Sequence, residues 1–93
     1  MTDPILQALR SQIDEIDQQL IECLAKRIQV STQIASRKRV VATPVLQNDR
    51  AAVVSDNYVR LGQRLGLNED FMRKLYRVVH AESCRVQTET LSS

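Results

Sequence analysis

Between Pro4 and Val41 the chain carries no Gly and no Pro beyond its first position, and no other feature constrains the fold as strongly. Leu6, Leu9, Ile13, Ile16, Leu20 and Leu24 recur at spacings of three or four residues. That is the narrow apolar seam of a helix that pairs with another helix. Asp14, Glu15, Asp17, Gln18 and Gln19 fill the gaps and keep the other face wet. Asp3 is placed to cap the start, and Pro4 suits a first helical position, where its missing N–H loses nothing.

The length of this helix bears on architecture. From Pro4 to Arg39 it would span roughly 50 Å, whereas a compact monomer of 93 residues is only about 30 to 35 Å across. Such a helix either breaks or projects with its apolar stripe uncovered, and the simplest cover is a second copy of the chain. The expectation is an intertwined homodimer. Oligomerisation also suits a single domain of residues 1–93, whose own core would be marginal.

Composition removes several function classes. Hydrophobic residues at 43% suit a folded globular protein rather than a disordered one. Aromatics at 3% are too few for a base-stacking surface, and a net charge of +2 is too mild to mark a nucleic-acid binder. No apolar run approaches a membrane span, and no secretory signal pattern opens the chain. Cys23 and Cys84 lack metal-ligand spacing and read as reduced thiols of a cytoplasmic protein. No metal site is expected.

Past the first helix, Pro44 pushes Thr43 towards an extended conformation. Asn48 and Asp49 read as the N-cap and first turn of a second helix, about Asp49 to Leu65, with Ala52, Val53, Tyr58 or Val59, and Leu61 as inward candidates. Gly62 inside it is costly unless it serves close packing. Gly66 is a C-cap signal, and Asn68-Glu69-Asp70 opens a third helix with acidic residues at its positive end. Phe71, Leu75, Val78, Val79 and Glu82 form its expected inward face, with fraying after Thr88 and a disordered tail over 89–93. No strand pattern appears. The fold class is all-α, with three helices per subunit and a very long first one.

Candidate chemistry lies in polar residues at helical spacing. Arg27 and Lys38 are about three turns apart and share a face, whereas Arg10 lies too far along the same helix to enter one small pocket with Arg27. In an antiparallel pair of such helices, Arg10 of one copy can reach the other copy's pocket. On the third helix His80, Ser83, Cys84 and Gln87 recur at three and four residues and share a face. Set against Arg27, Lys38 and Arg50, such a strip suits a small dianion, since guanidinium groups clamp carboxylates and Lys and Gln donate to a developing oxygen. For any single basic residue, a solvated surface charge is the commoner role.

Together these residues carry a resemblance. Leu9-Arg10-Ser11-Gln12-Ile13-Asp14-Glu15-Ile16-Asp17, then Leu24-Ala25-Lys26-Arg27, Lys38, Pro44-Val45, Asn48-Asp49-Arg50, and Ser83 with Gln87 resemble the all-helical chorismate mutases over Pro4 to Gln87. The resemblance implies a three-helix subunit in an intertwined dimer, with each site borrowing Arg10 from the partner subunit. It implies that Arg10 and Arg27 hold substrate carboxylates, that Arg50 and Ser83 support the carboxylate end, and that Lys38 and Gln87 flank the ether oxygen of the breaking bond. Arg27, Lys38 and Gln87 would then carry catalysis. The implied reaction is the Claisen rearrangement of chorismate to prephenate, on the route to phenylalanine and tyrosine, with no cofactor.

Those residue types fit the chemistry. A pericyclic step needs the enolpyruvyl arm folded over the ring, and two carboxylate clamps at fixed separation supply that orientation. Negative charge grows on the ether oxygen as its bond stretches, so fixed Lys and Gln donors favour the transition state over the ground state. Two positions depart from the family. Gln47 replaces the usual acid ahead of the Asp-Arg pair, and Ala51 replaces the usual Glu after it. In the family both lie near the ring hydroxyl of the substrate, so the departures either weaken chorismate binding or signal a related substrate such as 4-amino-4-deoxychorismate or isochorismate. An isochorismate-pyruvate lyase is the nearest rival, although the 12-residue step from Lys38 to Arg50 and the small Ser83 favour the mutase pattern. Other rivals are a hydrolase built on Cys84 and His80, and a helical dimerisation module without activity.

Overall fold

The computed structural model describes residues 3–92, and the described chain is all-helical, with α1 (Pro4–Val41), α2 (Asn48–Arg64) and α3 (Glu69–Ser92) in order. It divides into two compact units, one up to Val30 and one from Ser31 onward. Among the described residues no helix is long and apolar enough to cross a membrane.

In the first unit the helix starts as its sequence dictates. The Asp3 carboxylate accepts the Ile5 N–H at 2.9 Å and the Asp3 carbonyl accepts the Gln7 N–H at 3.0 Å, so Asp3 satisfies two of the donors that a helix start leaves unpaired. Leu6, Leu9, Ile13, Ile16, Leu20 and Leu24 all stay between 39% and 56% exposed. This stripe is too apolar to be a solvated face and too exposed to be a core.

The second unit has a core. The α2–α3 turn is a Schellman motif: Leu67 N–H donates to the Gly62 carbonyl at 2.8 Å, Gly66 N–H to the Gln63 carbonyl at 3.2 Å, and Gly66 holds φ at 76°. The Asn68 side chain then caps α3 by accepting the Phe71 N–H at 2.9 Å. Gly62 lies against Met72, so closely that an added Cβ would meet Met72 Cγ at 2.5 Å. This is the close packing for which a helix-interior glycine is retained. Val59 and Gly62 of α2, Ala35 of α1, and Met72, Tyr76 and Val79 of α3 are buried. Tyr58 meets the Tyr76 ring edge-on at 5.3 Å.

Three boundary or face expectations change. Gln47, not Asn48, is the N-cap of α2. Val53 and Leu61 are exposed, as are Ala52 on α2 and Phe71, Val78 and Glu82 on α3, with Val78 70% exposed. The buried stripe of α3 is Met72, Tyr76, Val79, Ser83 and Gln87. Gly62 explains the shift, because α3 approaches α2 where α2 has no side chain, and the residue brought there is Met72. Finally, α3 continues to Ser92 rather than fraying at Thr88; Ser93 lies outside the described residues. Arg85 bridges Glu82 and, at 3.0 Å, Glu89, while Thr90 and Ser92 hydroxyls donate back to the carbonyls of Val86 and Thr88. These local bonds support the last turn.

Candidate active site

Lys38 stands one turn before the end of α1, and the chain reverses directly after it. Ala42 adopts a left-handed φ of 54° and the Thr43 N–H closes back on the Lys38 carbonyl at 2.9 Å. An Ala in this region costs about 1 kcal/mol, which the closing hydrogen bond helps to offset. The reversal brings the Val45 carbonyl over the Lys38 side chain. Nζ donates to it at 2.7 Å and to Gln87 Oε1 at 2.9 Å. Lys38 is half-buried and Gln87 is buried to 7% exposure. With its oxygen turned to Lys38, the Gln87 amide directs its NH2 donors elsewhere. The ammonium and the amide therefore form a paired set of donors held by α1, α3 and the loop between α1 and α2.

A second polar contact joins the same two helices. Ser31 Oγ and Ser83 Oγ are hydrogen-bonded at 3.3 Å, and both serines are 5% exposed. Ser31, Ala35 and Lys38 fall on one face of α1, and Ser83 and Gln87 are one turn apart on α3. Arg39, next to Lys38, donates to the Thr90 carbonyl at 2.7 Å.

The expected polar strip of α3 splits by depth. Ser83 and Gln87 are buried, whereas His80 and Cys84 are half-buried. Cys84 Sγ lies 3.6 Å from His80 Nε2, and the His80 ring stacks on Tyr76 at 5.2 Å. A shallow surface groove runs past Ala81, Cys84, Arg85 and Thr88, and its lining includes none of the candidate substrate-binding residues. Its Arg85 carries a raised pKa from its hydrogen bond to Glu82, whose own carboxyl is held below the usual range by the same contact.

At the start of α2, Arg50 is exposed. Gln47 makes no side-chain capping bond, unlike Asp3 and Asn68 at the starts of α1 and α3. Its amide is not committed to the helix. Ala51, four residues on and on the same face, is half-buried, and its N–H donates to the Gln47 carbonyl at 2.9 Å. In the N-terminal unit Arg10 is exposed and Arg27 half-buried. Of the residues singled out from the sequence, the structure thus brings Lys38 to Gln87 and sets Ser83 beside them on α3. Sequence reasoning missed Ser31, whose spacing to Lys38 marks the same helix face, and the Val45 carbonyl, which no side-chain pattern reveals.

Comparison with known proteins agrees with the resemblance. The profile of the family described as chorismate mutase type II matches residues 9–88. A 4-amino-4-deoxychorismate mutase of Streptomyces venezuelae is 34% identical over 94% of this chain and 84% of its own length. One of the same name from Streptomyces pristinaespiralis is 34% identical over 99% of this chain and 70% of its own. A bifunctional chorismate mutase/prephenate dehydratase of Buchnera aphidicola is 28% identical over 94% of this chain, which spans 23% of that larger protein. With its helical fold and a family match across most of its length, the chain belongs to the type II chorismate mutase family.

Proposed function

We propose that the protein rearranges a chorismate-like enolpyruvyl ether by a Claisen step, and that its substrate is 4-amino-4-deoxychorismate. The observation that carries the mutase reading is the Lys38–Gln87 contact, 2.9 Å long and part-buried. In the rearrangement the ether C–O bond breaks as a new C–C bond forms, without a nucleophile or proton transfer. Charge builds on the ether oxygen, and in this reading the Lys38 ammonium and the Gln87 NH2 donate to it. Preorganised donors of this kind need no reorientation at the moment of reaction. Gln87 keeps its donors at any physiological pH.

Arg27, together with Arg10 of a second copy, holds the two carboxylates in this reading, and Arg50 and Ser83 support the carboxylate end. The dimer is supported by the exposed Leu6–Leu24 stripe, since burying each Leu or Ile side chain is worth about 1.5–3 kcal/mol. The substrate assignment rests on two features that agree. Gln47 and Ala51 stand where the family carries acids near the ring hydroxyl, and two relatives at 34% identity bear the name 4-amino-4-deoxychorismate mutase. The Gln47 amide oxygen accepts from an amino group as readily as from a hydroxyl. Chorismate is the second reading, favoured by the similarity to the bifunctional chorismate mutases.

The purified protein is to be incubated separately with 4-amino-4-deoxychorismate, chorismate and isochorismate, and the products separated by chromatography. The expected result is rearrangement with the highest kcat/KM on the amino compound, and a loss of about 10²- to 10³-fold in kcat in Lys38→Ala. Faster prephenate formation from chorismate moves the assignment to the second reading. Pyruvate and salicylate from isochorismate make the protein a lyase. Turnover of none of the three overturns the enzyme reading.

A further inference from the structure

Ser31 occupies the interior of α1, where a serine is a poorer helix former than alanine. It is buried, and a buried hydroxyl is unfavourable unless it is bonded. Ala35, one turn further on and fully buried, shows that a methyl side chain meets the packing demands of this face. The hydroxyl at position 31 therefore contributes a polar contact rather than bulk, and that contact is the 3.3 Å bond to Ser83.

Two polar rungs cross between the same faces of α1 and α3, Ser31 to Ser83 and Lys38 to Gln87. A side chain engaged in this way is pinned in rotation. The upper rung thus does for Ser83 what the lower one does for Gln87.

We infer that Ser31 is a positioning residue that fixes the Ser83 hydroxyl for the substrate carboxylate. This rests on the mutase reading above, in which Ser83 supports the carboxylate end. Ser31 itself touches no substrate and acts through Ser83. Its contribution therefore falls on binding, in the ground state and transition state alike, and shows in KM rather than kcat.

The experiment is a double-mutant cycle of Ser31→Ala and Ser83→Ala, with kcat, KM and thermal midpoint measured on the best substrate of the panel above. Ser31→Ala is expected to raise KM about three- to tenfold, the worth of one neutral hydrogen bond, with kcat within about twofold of the parent. In the Ser83→Ala background it is expected to change KM no further. Ser31→Cys, which retains a weak donor, should fall between the two. An unchanged KM in Ser31→Ala, or a KM effect of equal size in the presence and absence of the Ser83 hydroxyl, overturns the inference. So does a lowered thermal midpoint with KM unmoved, which assigns the pair to packing alone. Absence of turnover by the unmodified protein overturns the mutase reading and this role with it, whereas failure of the cycle in an active enzyme overturns only Ser31.

Discussion

The helix up to Val30 and the unit from Ser31 onward obey the same periodicity and meet different fates. In the first, the apolar stripe from Leu6 to Leu24 stays exposed along its whole length. In the second, Ala35, Val59, Met72, Tyr76 and Val79 are buried, although two more strongly apolar neighbours, Phe71 and Val78, are 52% and 70% exposed. Hydrophobicity placed at three- and four-residue spacing thus identifies a helix and a seam but not what the seam meets. A stripe of Leu and Ile alone asks for an external surface of the same kind. A stripe that includes Gly62, Ser83 and Gln87 is already shaped by specific neighbours. The first is suited to association and the second to holding a site.

The largest effect expected from this contrast comes from a charge in the exposed seam. Leu20→Asp should abolish the proposed dimer and much of the helicity of the first unit, measured by sedimentation and circular dichroism. An isolated helix with few tertiary contacts is marginal in water, and each lost Leu contact in a packed seam is worth about 2–5 kcal/mol. A Leu20→Asp protein with unaltered mass and helicity would show that the stripe is no interface.

A smaller effect, but a more specific one, comes from sharing of the site. Arg10→Ala and Arg27→Ala should each be inactive alone. Mixed in equal amounts and allowed to exchange, they should recover about a quarter of the parent activity, because half of the dimers are then mixed and each holds one intact site of two. Exchange proven by mass with no recovered activity would place Arg10 outside the partner's pocket and break the link between the seam and the chemistry.

Much of this was legible in the sequence. The three helices, the cap at Asp3, the helix start at Asn68 and the glycine stop at Gly66 follow from spacing and from residues with strong local preferences, whereas only the family resemblance put Lys38 and Gln87 at one point. What was illegible depends on contacts between distant segments. Phe71 is the more attractive core residue on any hydrophobicity scale, yet Met72 is buried because Gly62 admits it. The Val45 carbonyl reaches Lys38 only because Ala42 turns left-handed, which alanine rarely does. The last turn of α3 reads as a tail because terminal residues are poorly ordered unless tied down and Thr90 and Ser92 are weak helix formers, and its support from Arg85 and Arg39 is a matter of side-chain reach.

The Gly62–Met72 contact tests the other side of the contrast, since it should affect the second unit while leaving the seam alone. Gly62→Ala gains helix propensity, about 1 kcal/mol, but drives a methyl group into Met72 Cγ at 2.5 Å, near the stiff root of that side chain rather than its mobile end. Overpacking of this kind costs about 1–3 kcal/mol, so the net change in urea unfolding should be a modest destabilisation with the mass in solution unchanged. The sign is the sharper test. With Met72→Ala as the background the clash is gone, and the same Gly62→Ala substitution should become stabilising by up to about 1 kcal/mol. A substitution that destabilises equally in both backgrounds would mean that Gly62 is required for the Schellman turn rather than for Met72. The register of the α3 stripe would then be set by the turn and not by the packing.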